Sequence, residues 1–287
     1  MTGLDAWIGR EQQSGDRLGQ ALARRWLAMF DLEGAAAGAM PQGIHWCLCV
    51  PQTPTARLGP DGHKLRDGAD DNFLPPVTAP RRMWAGSACE FLAPIAPGSA
   101  IERVSRIEAI EEKQGSSGPL SFVTILHETS ADGALAVRER QILVYREAPP
   151  EGSPPAPPPL SASRFDDGDW GAVTRLVPSP ALLFRYSALT FNTHRIHYDA
   201  DYVRAVENYR GLVVHAPLMA SLLLQLAARE FGGNALARFA FRGVSPAIAQ
   251  EELVLALRGG GPATDGAIEL GVFAADGRQV MTAEAAL

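Results

Sequence analysis

The apolar positions of this chain crowd one segment above all others. Over residues 216–231, Leu218, Ser221, Leu222, Gln225, Leu226 and Arg229 recur at helical spacing, Leu223 and Leu224 thicken the apolar side, and Gly232 and Gly233 stop the run. A helix apolar almost all round belongs inside a domain, wrapped by a sheet. Earlier in the chain, residues 14–33 carry helical spacing through Leu18, Leu22, Trp26, Leu27 and Phe30, with Ser14 or Asp16 as N-cap. IHWCLCV at 44–50 reads as a strand and 51–82 as loop. Segments 87–95, 100–112, 120–128 and 134–146 alternate in the manner of antiparallel strands. Past a proline-dense stretch the order returns: a strand near 171–176, a helix entry near 179–186, the apolar helix, and strands near 237–244, 251–258 and 267–286. The last of these folds as a hairpin about Asp276 and Gly277.

Helix followed by meander thus occurs twice. Residues 91–107 can be laid on 243–259, pairing Pro94 with Pro246 and Gly98 with Gln250, as a duplication predicts. The prolines of APPEGSPPAPPPL at 148–160 allow neither helix nor sheet and predict a stiff extended connector. The expected organisation is an N-terminal domain over 1–147, a Pro-rich linker over 148–165 and a C-terminal domain over 166–287.

Composition narrows the function classes. A formal net charge of −6 argues against a nucleic-acid surface, which needs clustered Lys and Arg. No window has the apolar length of a membrane span and the first residues lack a signal pattern, so a cytoplasmic protein is expected. Cys47, Cys49 and Cys89 read as packing thiols, not as zinc ligands. Three of the six histidines, His194, His197 and His215, lie in or beside a short polar loop that runs into the apolar helix. Its N-terminal amides would point out of the core next to them, which is how a small-molecule site is built.

The loop FNTHRIHYDADYV and the following GLVVHAPLMASLL resemble the motif of MaoC-like enoyl-CoA hydratases, Asp-x-Asn-Pro-x-His and then a His-Gly opening the hot dog helix. On this chain the motif's histidine falls on His197, its Asp on Asn192, its Asn on His194, its Pro on Arg195, and the His-Gly pair on His215 and Ala216. GHK at 62–64, FLPP at 73–76 and RRMWAG at 81–86 are similar to segments of one branch, with Lys64 where that branch has proline. The branch holds mesaconyl-C4-CoA (3-methylfumaryl-CoA) hydratases and mitochondrial-type 3-hydroxyacyl-thioester dehydratases. The resemblance implies an α+β tandem (double) hot dog fold, each half a curved antiparallel sheet around a central helix. It also implies one active site per chain, in the C-terminal half.

Adding water across a double bond conjugated to a thioester requires a base for water, an acid for the α-carbon and donors for the enolate-like oxygen. His197 is expected as the acid/base, because neutral imidazole is poised near operating pH. Asn192 would hold the water, and His194, three residues before His197, would be either a second proton handler or the group that orients it. By resemblance the backbone N–H of Ala216 serves the oxyanion, with Pro217 in the first helical turn. His215 sits at the cap, in a chemical or a loop-fixing role. Tyr198 would pack on the wall, and Asp199 or Asp201 caps the helix that follows. Arg195 and Arg242 are candidates for a substrate carboxylate or CoA phosphates, and Arg81, Arg82 and Trp84 would line a tunnel between the halves. His45, His63 and His127 show no partners in sequence and read as structural.

The expectation is therefore a hydro-lyase acting on an acyl-CoA without metal or other cofactor, with a homodimer as the candidate assembly. Mesaconyl-C4-CoA hydration to citramalyl-CoA leads, with a fatty 3-hydroxyacyl thioester behind it. A thioesterase or a non-catalytic acyl-thioester binder are the readings from other classes; Glu230, at the far helix end, is badly placed for hydrolysis.

Overall fold

The computed structural model describes residues 3–33, 38–66, 72–115, 118–261 and 266–287. The elements run β1 (Glu11–Arg17), α1 (Gln20–Met29), β2 (Arg81–Phe91), β3 (Ala100–Gly115), β4 (Gly118–Ala131) and β5 (Ala134–Arg146). After the proline-rich stretch come β6 (Ala172–Leu176), α2 (Pro180–Thr190), α3 (Ala200–Ala205), α4 (Ala216–Phe231), β7 (Arg238–Gly243), β8 (Leu253–Gly259), β9 (Ile268–Ala274) and β10 (Gln279–Ala286). The ten strands of the described residues form one antiparallel sheet in the order β1-β3-β4-β5-β2-β7-β10-β9-β8-β6. The order reads the same from either edge once β1–β5 are equated with β6–β10: β1 with β6, β2 with β7, and β3, β4, β5 with β8, β9, β10. It is the tandem hot dog architecture expected.

The internal match holds down to single hydrogen bonds. Gly98 (φ +101°) and Gln250 (φ +69°), paired by sequence, are both left-handed. Gly98 N donates to Leu18 O and Gln250 N to Pro178 O, the carbonyls just past β1 and β6, while Ser99 N→Ala96 O is repeated as Glu251 N→Ile248 O. Where the halves join, β2 pairs with β7, and Gly86 sits at a β2 bulge so close that a Cβ would lie 2.4 Å from Phe241 O. A side chain there would part the two strands.

The largest buried cluster gathers about α4, while a smaller one forms on the other face of β8 around Val254, Ala256 and Phe273. Leu218, Ala220 and Leu223 of α4 are fully buried and share one cluster with Trp26 of α1 and Phe239 and Phe241 of β7. Removing such side chains from water contributes about 1.5–3 kcal/mol each. These bonds equate α1 with α2; between α1 and β2, where the second half has α3 and α4, the described residues form only two 3-10 turns.

Three sequence expectations change. Residues 14–17 belong to β1, whose polar sequence pairs with the edge of β3, so the helix starts at Gln20 behind Gly19. Ser14 is therefore no helix cap, and Asp16 instead accepts from the backbone of Arg17 and Cys49. The edge of β3 offers ladder hydrogen bonds that outweigh local helical preference. Residues 44–47 are a buried 3-10 turn, not a strand: Ile44, His45, Trp46 and Cys47 are covered on every side, a pattern periodicity cannot assign. Of the 51–82 loop, residues 67–71 lie outside the described residues. The connector over 148–160 carries no helix or strand and runs beside 208–210, with Asn208 N–H donors to Ser153 O and Pro154 O and Arg210 Nε to Pro157 O. Among the described residues no helix is long and apolar enough to cross a membrane.

Candidate active site

The histidine loop is held at both ends. Ser179 caps α2 through Leu182 N, the helix closes at left-handed Phe191, and Asp199 caps α3 through Tyr202 N (3.0 Å). Between them, Asn192 Oδ1 accepts from His194 N (3.0 Å), and Arg195–His197 form a 3-10 turn. That turn brings His194 and His197 to one side, with ring centroids 5.5 Å apart and edge to face. The loop pairs with the approach to α4 through Val213 N→Ile196 O. His197 therefore reaches the helix mouth: its ring stacks on His215, the N-cap residue of α4, at 3.5 Å and 17°.

Hydrogen bonds settle which ring nitrogens are available. His197 Nδ1 lies 2.7 Å from Val213 O, so Nδ1 carries the proton and Nε2 keeps its lone pair. His215 Nε2 meets Ser187 Oγ at 2.9 Å, and its Nδ1 is buried without a partner. Burial pushes His197 down to about 4, opposed by the Val213 carbonyl; burial, and then neighbouring imidazoles, hold His194 and His215 well below the ordinary range. All three are neutral bases at pH 7.

The structure adds a fourth ring that the sequence reading had set aside. His63 packs on His194 with centroids 4.1 Å apart, and its Nδ1 lies 2.9 Å from Asp61 Oδ2. The turn 59–63 is stitched to the loop by Arg195 N→Asp61 O (2.9 Å) and Thr193 Oγ1→Gly62 O (2.5 Å). The result is a continuous row, His63–His194–His197–His215. The only signal in sequence was the GHK segment itself. Burial would raise Asp61, but the hydrogen bonds and charge of His63, with Arg82, hold it at about 2; burial and then Arg82 lower His63 to about 4 against the pull of Asp61. Asp61, Arg82, His194 and Glu207 line a small space beside the row, with room for at most about one water.

The other predicted residues divide. Arg82 reaches the row, whereas Arg81 turns to Glu207 (3.0 Å) and Val206 O. Trp84 is packed between Trp46 and Phe241 with its Nε1 on Ser87 Oγ (2.9 Å), a core position. Arg195 spends its guanidinium on Asp199 and Pro60 O and lies 3.9 Å over Tyr202, bracing the loop. Tyr198 is exposed and donates to Thr193 O. Arg242 is on the wrong face: strand alternation sends Phe239 and Phe241 toward α4 and Arg242 to the opposite side. There it lines a groove of about 850 Å³ with Arg258, Glu269 and Glu284, on the side of the sheet away from the histidine row. Asn192 keeps its place in the loop, but its oxygen is engaged by the backbone.

Two groups bring three metal-ligand atoms within 4.8 Å of one another among the described residues: Asp61, His63 and His194, and the buried His45, Cys89 and Glu139. In the second, Glu139 accepts from Trp46 Nε1 (3.0 Å) and His45 Nε2 faces both Glu139 and Cys89. His127 bonds Ser105 Oγ and Gln141 Oε1.

A model of the hydroxyacyl-thioester dehydratase type 2 family matches residues 43–249. The mesaconyl-C(4)-CoA hydratase of Chloroflexus aurantiacus is 42% identical over 245 residues, 84% of each chain. A solved MaoC-like dehydratase superposes with TM-score 0.71 at 16% identity over 99% of both chains. A Mycobacterium tuberculosis protein with a double hot dog fold gives 0.59 at 15% identity, over 97% of this chain and 95% of that one.

Proposed function

Because the chain belongs to the hydroxyacyl-thioester dehydratase type 2 family, we propose that this hydro-lyase adds water reversibly across the double bond of mesaconyl-C4-CoA to form citramalyl-CoA. The observation that carries the reading is the stack of His197 on the cap of α4, with its Nδ1 proton tied to Val213 O. His197 Nε2 takes a proton from water as the oxygen attacks the β-carbon. The electron pair of the double bond moves to the α-carbon and thioester oxygen. That oxygen is received by the first-turn amides of α4, beginning with Ala216 N–H, which has no carbonyl four residues back in the helix. Protonation of the α-carbon completes the addition. Asn192 acts by holding His194, and through it the loop, in place.

The charged groups beside the histidine row favour an acidic acyl group over a fatty one. The β-carbon of mesaconyl-C4-CoA carries a carboxylate, and Arg82 is the guanidinium beside His63 and His194, since Arg81 and Arg195 are paired elsewhere. A long chain would need apolar walls, whereas Asp61, Arg82 and Glu207 stand beside the row. Mesaconyl-C4-CoA and crotonyl-CoA, followed by enoyl-thioester absorbance and by a thiol reagent, test the reading. Loss of absorbance without free thiol, faster for the acidic substrate, is expected. Free CoA would indicate hydrolysis, and no change with either would indicate binding alone. His197→Ala is expected to abolish turnover with the fold intact; a near-normal rate in that variant removes the mechanism.

A further inference from the structure

Among the described residues no carboxylate is hydrogen-bonded to His194, His197 or His215: His197 is tied to a backbone carbonyl, His215 to a hydroxyl, and the side chain at 192 is an amide that caps the loop. A proton gained by this row in turnover needs a counter-charge nearby. Asp61 supplies one. Its Oδ2 meets His63 Nδ1 at 2.9 Å and its Oδ1 accepts His63 N at 3.0 Å, so both carboxylate oxygens are oriented. Gly59 N→His63 O (2.7 Å) closes the turn on itself, and the two bonds to Thr193 and Arg195 pin it to the loop. The pair thus stands at a fixed place, its ring against His194.

We propose that His63, oriented by Asp61, is a second catalytic imidazole that protonates the α-carbon, and that a substrate carboxylate resting on Arg82 arms it. The proposal rests on the hydratase reading above and assigns the proton that reading left open. His63 enters as imidazolium, Nδ1–H on Asp61 and Nε2–H toward the substrate. Water adds its oxygen to the β-carbon while His197 Nε2 takes its proton; the α-carbon takes the Nε2 proton of His63. One water is consumed, and the surplus proton now sits on His197. His194, in contact with both rings at 4.1 and 5.5 Å, returns it to His63.

The arming follows from charge. Asp61, Arg66, Arg82, His194 and His197 are the titratable and charged groups acting on or beside His63, and after burial Arg82 does most to keep its ring neutral. A carboxylate paired with Arg82 offsets the Arg82 part of that opposition, and its own negative charge joins that of Asp61 in favouring the proton against burial. An acyl group without a carboxylate does not.

His63→Ala, Asp61→Asn and wild type are compared on mesaconyl-C4-CoA and crotonyl-CoA across pH. Loss of a positioned acid is expected to lower kcat of His63→Ala by roughly 10²–10⁴-fold, with KM within about threefold and partial rescue by added imidazole. Asp61→Asn retains an oxygen for His63 N but no charge, so its pH profile shifts to lower pH and kcat falls, even if His63→Ala fails to fold. The ratio of mesaconyl to crotonyl turnover collapses in Arg82→Met. Wild-type kcat in His63→Ala, or an unshifted profile in Asp61→Asn, overturns the proposal. If wild type hydrates neither ester, it is the hydratase reading that fails.

Discussion

Gly62→Ala probes the contact that joins the two loops of the site without touching any titratable group. Gly62 has φ +88°, and a Cβ there would lie 1.9 Å from Thr193 O and 2.8 Å from its carbonyl carbon. No real Cβ approaches an oxygen that closely, so the turn and the histidine loop must part by more than an ångström. The left-handed backbone costs an alanine about 1–2 kcal/mol, and losing Thr193 Oγ1→Gly62 O and Arg195 N→Asp61 O adds about 0.5–1.5 kcal/mol each. The sum, about 2–5 kcal/mol, exceeds what the turn can absorb in place, so the turn swings away with Asp61 and His63. Displacement by an ångström is worth about 10² in rate. Gly98→Ala is the control: φ is +101°, yet nothing lies within 4 Å of its Cβ. It carries the backbone cost alone. Hydration of mesaconyl-C4-CoA and thermal unfolding of both variants are the assays. The expected result is a drop in melting temperature for both and a loss of about 10²-fold in kcat/KM for Gly62→Ala only. Full activity in Gly62→Ala would refute the docking of turn 59–63 as a requirement of the site.

Acid should unfold the protein through its histidines. His63 and His197 fall from 6.5 to about 4, and His127 to about 3, all chiefly by burial. The unfolded chain therefore binds more protons between those values, so stability is complete above pH 6.5 and declines as pH falls toward 4, by on the order of 3 kcal/mol for each of His63 and His197. Chemical denaturation at pH 7.5 and 5 checks this, and equal midpoints would contradict it. Thiol titration should find Cys49 reactive in the native protein and Cys47 and Cys89 silent, because burial raises Cys47 to about 12 and Cys89 well above its ordinary value. Rapid labelling of all three would show the core around Trp46 to be open.

The repeat was legible because it rests on local patterns. Alternation marked β3, β4 and β5, the apolar run marked α4, and the Gly98–Gln250 pairing located a turn that both halves make with left-handed backbone. His194, His197 and His215 were legible as a group, since a 3-10 turn and a helix cap bring neighbours in sequence together. β1 was missed because its polar strand is stabilised by a partner about ninety residues away. The 44–47 turn was missed because complete burial erases periodicity.

Arg242 and His63 mark the boundary between the two kinds of information. The sequence determined that this chain would build a doubled sheet about an apolar helix and set imidazoles at that helix's mouth, because spacing along the chain dictates which face each nearby residue takes. It could not say that Arg242 faces away from them, which depends on the strand's inner face being claimed by Phe239 and Phe241. Nor could it bring Asp61 and His63 to His194. That contact spans the two halves and exists only because Gly62, lacking a side chain, lets one backbone come to rest against another.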